Sequence, residues 1–437
     1  MSELKLINLK TKVPCPGTKS LLNKIKKTEP LSMLNQIPIV WKKAANFNIY
    51  DINNNKFIDF TSSIFVSNIG HANKRMKTYL KNIINKDIFH TYTYANQIRE
   101  KYVKKLVKFA GKNFNKAFLL SSGTEATEAG LKLMRLQGIK QKKRKLGVIC
   151  FDGNWHGRTI GAQMMSGNKE QKKWIGYHDP NIHHLPFPYP WELKKNNPEL
   201  FFKKSLMKLL NKKKINIKKD ICGFMIETFQ GWGAFFYPPE YIKALAKVAK
   251  ENKILLCFDE MQSGFCRTGY NFGFQHYGVK PDLICCGKGM GNGFPLSGVI
   301  GNKKVLDLPG TGNMSSTHSS NPISCTAGLA VIDELQINKK KLNVFNKGNF
   351  FYNGLLKLKN KYSSLEYVNG KGLIFALVFS KKKTKNLKNV VIGCMKDGLL
   401  LVHTGRESIK LGPPLTISMK ALDVSLKIID KNLKKYL

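Results

Sequence analysis

Short apolar segments alternate with helix-length segments through the middle of the chain. The apolar segments end in polar or glycine-rich turns and lie at residues 116–120, 147–151, 223–226, 254–258, 282–286 and 298–301. Continuous apolar runs of this length are typical of parallel strands that are buried on both faces. Residues 125–136, between two of these runs, have the pattern of a helix. The alternation therefore predicts an α/β fold around an open, mostly parallel sheet.

The two ends of the chain differ from this middle part. Residues 1–60 form a polar arm followed by two short apolar runs around an Asn-rich turn, which predicts a hairpin. After residue 330 the chain is lysine-rich and helical, with a strand predicted at 372–379 and a final helix at 421–433. We therefore expect a large domain at 61–330 and a smaller α/β domain at 331–437, which the arm and hairpin join.

The net charge of +45 is the most unusual feature of the composition. Seven of the 73 basic residues are Arg, and the lysines are scattered without the interleaved aromatic residues that a single-strand nucleic-acid groove uses. A polyanion-binding protein remains an alternative; it would bind DNA in a salt-sensitive way that does not depend on Lys288. We expect no nucleic-acid partner.

Apolar runs and cysteines limit the location of the protein. No run reaches the roughly 18–20 apolar residues of a membrane span, and the first residues lack the apolar part of a secretory signal. The nine cysteines are scattered, with no C-x-x-C pair and no zinc spacing. We expect a cytoplasmic protein with no membrane association, no disulfide framework and no metal.

Three local features carry candidate chemistry. Ser122-Gly123-Thr124 stands between a predicted strand and a helix, where backbone N–H groups favour a phosphate. Asp259 follows the most apolar strand, and Lys288 lies in a glycine-rich loop after another strand. Taken singly, Ser122-Gly123-Thr124 fits a helix cap and Asp259 fits a second helix cap. Lys288 alone fits a phosphate-binding lysine. Together they fit pyridoxal phosphate, which has a phosphate, a protonatable ring nitrogen and an aldehyde.

The chain also resembles the class III pyridoxal-phosphate aminotransferases, the family of 4-aminobutyrate, ornithine and other ω-amino-acid transaminases. The resemblance runs from about residue 40 to the C-terminus and rests on seven motifs in order: Tyr50-Asp51 with Phe57 to Phe60, Ser122 to Ala126, Trp155 to Thr159, Ile226-Glu227 with Gln230-Gly231, Phe258 to Gly269, Pro281 to Gly298, and Thr317 with Asn321-Pro322. It implies the fold of the type I pyridoxal-phosphate transferases.

The resemblance also implies roles for individual residues. Lys288 would hold the cofactor as a Schiff base and move the substrate proton, and Asp259 would pair with the pyridine nitrogen. The other cofactor-binding residues would be Ser122, Gly123, Thr124, Trp155, Gln262 and Thr317. Thr317 would reach the phosphate in the other subunit, which implies a homodimer with shared active sites. The substrate residues would be Ile64, Arg158, Glu227, Trp232 and Lys410.

Two departures from the family pattern affect the substrate. Members that use two kinds of substrate have Glu after Gln-Gly and Arg before Pro-Pro-Leu, whereas this chain has Trp232 and Lys410. Lys lacks the planar fork with which Arg pairs a carboxylate, and Arg406 is a possible substitute. The implied reaction moves an amino group from an ω-amino acid or amine, 4-aminobutyrate-like, to 2-oxoglutarate or pyruvate by a ping-pong mechanism. An amino-acid racemase or aminomutase of the same fold is the alternative.

Overall fold

The computed structural model describes residues 6–33, 37–194 and 196–437. The chain divides into two compact units. The smaller unit comprises residues 1–74, 232–234 and 340–437, and the larger unit comprises residues 75–231 and 235–339. The sequence interpretation placed the boundaries near residues 60 and 330 and did not anticipate that residues 232–234 group with the smaller unit.

A seven-stranded sheet forms the centre of the larger unit. In spatial order its strands are Lys116–Leu120, Ser297–Gly301, Leu283–Cys286, Leu255–Asp259, Ile221–Glu227, Gly147–Phe151 and Ile182–Leu185. Ser297–Gly301 runs antiparallel to both neighbours, and the other adjacent strands are parallel. The predicted mostly parallel sheet is confirmed. The edge strand Ile182–Leu185 was not predicted, because its two central histidines interrupt the apolar pattern.

The larger unit also contains ten helices within the described residues. They are Lys74–Ile84, Gln97–Ala110, Gly123–Lys140, Ile160–Met165, Pro190–Leu193, Pro198–Lys213, Ile217–Asp220, Pro239–Glu251, Lys303–Leu306 and Pro322–Ile337, with 3₁₀ turns at Glu170–Ile175, Gly273–Tyr277 and Lys288–Met290 and a short hairpin of Phe229–Gln230 with Phe235–Phe236. The helix Gly123–Lys140 packs on the strands through a core that includes Met134, Met225 and Cys257. This core fixes the start of that helix at the carboxyl ends of the strands.

The smaller unit contains two four-stranded sheets. In spatial order their strands are Trp41–Ala45, Asn48–Asp51, Lys56–Asp59 and Leu399–Leu400 in one, and Leu365–Lys371, Ile374–Phe379, Ser408–Leu411 and Val402–His403 in the other. The predicted N-terminal hairpin is present, and it joins the C-terminal residues because Lys56–Asp59 pairs in parallel with Leu399–Leu400. The helices are Thr18–Ile25, Lys339–Leu342, Val344–Lys361, Leu387–Lys396 and Met419–Tyr436, with 3₁₀ turns at Leu31–Met33 and Lys381–Asn386.

A left-handed turn at Ser62–Phe65 places four consecutive residues with side chains at positive φ. Its four residues have φ values of 45°, 54°, 64° and 65°. The left-handed region costs roughly 1–2 kcal/mol for a residue with a side chain. The buried carboxylate of Asp59 supports the start of the turn, because its Oδ1 accepts hydrogen bonds from Thr61 N at 2.7 Å and Ser62 N at 3.2 Å.

Across the described ranges, no helix is both long enough and apolar enough to cross a membrane. The same residues contain no cluster of three or more His, Cys, Asp or Glu side chains placed to hold a metal ion.

Candidate active site

The candidate site in the larger unit is built on neighbouring strand ends. Asp259 is the last residue of its strand and lies opposite Glu227 on one side and Cys285 on the other. Three residues after Cys285, Lys288 begins a 3₁₀ turn with φ 44°. The parallel register therefore brings a carboxylate, a second carboxylate and a lysine to one edge of the sheet, where open α/β folds bind ligands.

A histidine holds the carboxylate of Asp259. His156 Nδ1 lies 2.8 Å from Asp259 Oδ2, and Met261 N donates to Oδ1 at 3.0 Å. Asp259 and His156 are 4% and 3% exposed. A carboxylate with one partner on each oxygen keeps lone pairs for a further donor, such as a protonated ring nitrogen. His156 is a partner of Asp259 that the sequence interpretation did not name as a site residue; its only signal was its place after Trp155 in the third motif.

Burial lowers the pKa of the Lys288 amine, and the negative charges of Asp259 and Glu227 oppose this effect. A lowered pKa increases the fraction of uncharged amine, which is the form that attacks a carbonyl carbon or accepts a proton. The environment of Lys288 therefore suits a reactive lysine better than a fixed cation.

Two glycines leave room around the Met261 side chain, directly beside these groups. A Cβ atom at Gly123 would lie 2.9 Å from Met261 Sδ, and one at Gly287 would lie 2.8 Å from the same sulfur. Neither position tolerates a side chain without displacing Met261. The start of the helix Gly123–Lys140 and the loop before Lys288 can therefore both approach Met261 closely.

The helix Gly123–Lys140 begins with a capping box. Ser122 Oγ accepts from Glu125 N at 3.4 Å, and Glu125 Oε2 accepts from Ser122 N at 2.7 Å. The first N–H groups of the helix, on Gly123 and Thr124, are left to point outward, as in anion sites. The Thr124 hydroxyl is 2.7 Å from that of Thr159, so this side chain links the helix start to the loop that carries Trp155 and Arg158.

Glu227 organises the loop that contains Trp155. Its Oε2 accepts from Trp155 N at 3.0 Å and from Gly231 N at 3.4 Å. Gln262 Nε2 donates to the other oxygen of Glu227 at 3.4 Å. The structure thus brings Trp155, Glu227 and Gln262 together with Asp259 and Lys288.

The guanidinium of Arg158 lies over an aromatic ring, with its central carbon 4.7 Å from the Trp155 ring centroid. Arg158 is exposed, and no carboxylate in the described part of the chain pairs with it. Thr317 is also exposed, next to Ser316, whose hydroxyl donates to Glu125 Oε1 at 3.1 Å.

The remaining residues of the sequence prediction lie in the smaller unit. Ile64 is 52% exposed within the left-handed turn. Lys410 is 3% exposed, with its Nζ 4.3 Å from the Phe65 ring centroid. The Trp232 ring contacts the guanidinium of Arg406, and its carbonyl accepts from Ser408 Oγ at 2.7 Å. Of the two departures from the family pattern, Trp232 therefore packs against Arg406, whereas Lys410 lies over Phe65.

Comparison with solved structures identifies the fold. An (S)-enantioselective omega-transaminase from Thermomicrobium roseum is 22% identical with a TM-score of 0.87, covering 96% of this chain and 99% of that one. A transaminase from Virgibacillus is 23% identical with a TM-score of 0.86, covering 95% and 99%. The chain has the type I fold of pyridoxal-phosphate-dependent transferases, as predicted.

Comparison of sequences identifies the family. The family model described as "Aminotransferase class-III" matches residues 32–433, so the chain belongs to the class III aminotransferases. It is 32% identical to a mitochondrial acetylornithine aminotransferase of Candida glabrata, covering 87% of each protein. It is 30% identical to an acetylornithine aminotransferase of Clostridium acetobutylicum, covering 91% of this chain and 96% of that protein. The protein is therefore a pyridoxal-phosphate-dependent aminotransferase; the predicted family, enzyme class and cofactor are confirmed.

Proposed function

We propose that the protein transfers the terminal amino group of an amino acid, whose carboxylate lies several bonds from that amine, to a 2-oxo acid. Acetylornithine is the first donor to test, because relatives at about 30% identity carry that name. 4-Aminobutyrate, the donor type that the sequence resemblance implied, has the same two groups and is the second. Pyruvate and 2-oxoglutarate are the proposed acceptors.

The observation that carries this donor class is the position of Arg158. Its exposed guanidinium rests on Trp155 and has no carboxylate partner among the residues described. A planar guanidinium held in this way can form two parallel hydrogen bonds to a substrate carboxylate. A donor without a distal carboxylate would leave this group unused.

The proposed roles of the other residues follow from their surroundings. Pyridoxal phosphate, when bound, supplies a carbonyl carbon that condenses with amines and a ring that accepts the electron pair of a broken C–H bond. Lys288 would provide the amine that attaches the cofactor and would then hold or release the proton that is moved. Asp259, oriented by His156, would accept a hydrogen bond from the ring nitrogen and would favour its protonated form. Trp155 would cover one face of the ring.

The remaining cofactor contacts are proposed at its phosphate and ring hydroxyl. The N–H groups of Gly123 and Thr124, at the helix start capped by Ser122, would donate to the phosphate. Gln262 would donate near the ring hydroxyl. Thr317 is proposed to reach the phosphate bound by a second copy of the chain, which makes the protein a homodimer. Its exposure in a single chain supports this role, and sedimentation of the Thr317→Ala variant, with its cofactor affinity, would test it.

The proposed reaction takes place in the cytoplasm. All nine cysteines are free and buried, which suits a reducing compartment.

A donor panel read by visible absorbance tests the proposal. The cofactor-loaded protein should lose the absorbance of the lysine-bound cofactor when acetylornithine or 4-aminobutyrate is added, and regain it with a 2-oxo acid. Lys288→Ala should show neither change. Arg158→Met should weaken the response to both donors about tenfold or more, since a charge-assisted hydrogen bond contributes roughly 1.5–3 kcal/mol. An equal response of Arg158→Met and the parent protein would refute the donor class, and a response only to amines without a carboxylate would do so as well.

A further inference from the structure

A large basic cavity lies in the larger unit, lined by none of the residues assigned to the cofactor or the substrate. It has a volume of about 990 Å³ and is enclosed by the edge strand Ile182–Leu185, the helix Pro198–Lys213 and the segment 169–180. This volume is at the upper end of the range for small-molecule sites. The cavity exists because Ile182–Leu185 is the last strand of the sheet and has a strand partner on one side only.

Positive charge is concentrated in the walls of this cavity. Six lysines line it, namely Lys169, Lys172, Lys173, Lys208, Lys212 and Lys213. Three carboxylates also line it, of which Asp179 is paired with Arg135. Asp152 has its pKa raised by burial. Glu192, the third of these carboxylates, forms no ion pair with a described residue.

Lys172 is the buried member of this set. Its residue surface is 6% exposed, and it forms no ion pair with a described carboxylate. Its Nζ donates to Met164 O at 2.9 Å and lies 3.3 Å from His184 Nε2. Burial and the charge of Lys172 lower the pKa of His184 to about 3, so the ring is neutral.

The neutral ring of His184 is a poor partner for Lys172. His184 Nε2 lies 3.1 Å from the carbonyl oxygens of both Met165 and Ser166, so Nε2 carries the ring proton. It then has no lone pair to accept from Lys172. The ammonium group, which has three donors, is left with one protein acceptor. Burial lowers the pKa of the Lys172 amine, and an anion bound beside it would favour the charged form.

We propose that this cavity binds a small polyphosphate anion, a molecule with two or more linked phosphate groups. The innermost phosphate would accept from Lys172 at the floor, and the next phosphates would meet Lys208, Lys212 and Lys213 at the rim. Lys208 and Lys212 are four residues apart and share one helix face. A chain of phosphates matches a recessed site with one buried and several exposed cations better than a single phosphate does. A nucleic-acid strand would need stacking rings, and Phe201 is the one Phe, Tyr or Trp among the lining residues.

Calorimetric titration of the pyridoxal-phosphate-loaded protein with inorganic tripolyphosphate tests this site. We expect one molecule per chain, weaker binding of pyrophosphate, still weaker binding of phosphate, and affinity that falls as salt is raised. ATP should compete with tripolyphosphate for the same site. Binding of several molecules per chain, or ATP and tripolyphosphate that do not compete, would overturn the proposal.

Two triple variants with the same change in charge separate the cavity from the general charge of the protein. Lys208→Glu/Lys212→Glu/Lys213→Glu should weaken tripolyphosphate binding at least tenfold. Lys101→Glu/Lys104→Glu/Lys108→Glu alters three exposed lysines of the helix Gln97–Ala110, outside the cavity, and should change binding less than twofold. Equal losses in the two variants would mean that tripolyphosphate responds to net charge alone.

The floor of the cavity is tested by Lys172→Met, which keeps most of the side-chain volume. It should weaken tripolyphosphate binding about fivefold or more while the absorbance of the bound cofactor and the transaminase activity persist. Unchanged affinity would remove Lys172 from the site and refute the proposed arrangement. If Lys172→Met does not fold, the paired triple variants decide the question. These readouts do not depend on the identity of the amino donor, so failure here leaves the proposed function untouched.

Discussion

The guanidinium carbon of Arg406 lies 4.0 Å from the centroid of the Trp232 ring. The two residues are 174 positions apart in the chain, and Trp232 belongs to the three-residue segment that groups with the smaller unit. Arg406 Nε is also 3.6 Å from Glu407 Oε2. Trp232 stands where members that use two kinds of substrate have Glu, and in this chain its aromatic ring stacks on Arg406. A cation–π contact holds the guanidinium without neutralising its charge.

Arg406 is therefore expected to contribute to substrate binding. In Arg406→Met, the KM for the 2-oxo acid should rise about tenfold while kcat changes less than about twofold, the result of losing a charge-assisted hydrogen bond at a partly exposed site. Steady-state kinetics with both acceptors measures this. Lys357→Met, which removes an exposed cation from the helix Val344–Lys361, is the control and should leave KM unchanged.

Trp232 is expected to act through Arg406. Trp232→Leu removes the ring but keeps an apolar side chain, and should raise KM about two- to fivefold, in line with roughly 0.5–1 kcal/mol for an exposed cation–π contact. In the double variant Trp232→Leu/Arg406→Met, the KM should equal that of Arg406→Met alone. A further rise in KM there would show that Trp232 meets the substrate independently.

His156 is expected to orient Asp259. His156→Ala removes a donor from a buried carboxylate, and we expect kcat to fall about 10- to 100-fold, with a shifted absorption maximum of the bound cofactor. His156→Asn offers an amide N–H near the position of Nδ1 and should recover part of the loss. If the Ala and Asn variants have the same kcat and the same spectrum, the hydrogen bond to Asp259 is not the source of the effect.

Six of the seven strands of the large sheet, all but the edge strand Ile182–Leu185, could be predicted from the sequence because their signal is local. The strand Leu255–Asp259 has every residue buried, and a buried parallel strand must be apolar on both faces. The carboxylate at its end and the lysine of the glycine-rich loop could be found for the same reason. Each of these two side chains is charged, whereas its immediate neighbours in the sequence are mostly apolar or glycine.

The partners of these residues could not be predicted from the sequence because each partner lies far away along the chain. His156 and Asp259 are 103 positions apart, and nothing local distinguishes His156 from a core histidine. Glu260 shows the same limit. It directly follows Asp259, but its carboxylate is fully buried and accepts from Thr228, Ser263, Gly273 and Phe274 at 2.5–2.7 Å. Of these two adjacent acids, Asp259 therefore has a candidate catalytic role and Glu260 a structural role. Only the tertiary fold distinguishes the two roles.

Relief of the left-handed turn is expected to stabilise the protein. Ser63 is exposed and has φ 54°. Ser63→Gly should raise the free energy of unfolding by about 0.5–1 kcal/mol. This gain is the backbone strain that glycine relieves, minus the cost of the greater conformational entropy that glycine gives the unfolded chain. Ser63→Ala should give no gain, because alanine keeps the Cβ atom. Ser205→Gly, inside the helix Pro198–Lys213, should instead lower stability. Urea unfolding of the three variants measures the differences, and equal effects of Gly and Ala at position 63 would contradict the strain.

Lys347 is expected to make stability depend on alkaline pH. It is 8% exposed, its Nζ donates to Leu415 O at 3.0 Å, and burial lowers its pKa from 10.5 to about 8. Between these two values the unfolded chain binds more protons than the folded one, so the free energy of unfolding rises with pH. Relative to Lys347→Met, the parent protein should gain about 1–3 kcal/mol between pH 7 and pH 10. Lys357→Met, exposed on the same helix, should follow the parent protein throughout. Urea unfolding at pH 7, 8, 9 and 10 provides the comparison, and a constant difference between the parent and Lys347→Met would show that Lys347 has the same pKa in both states.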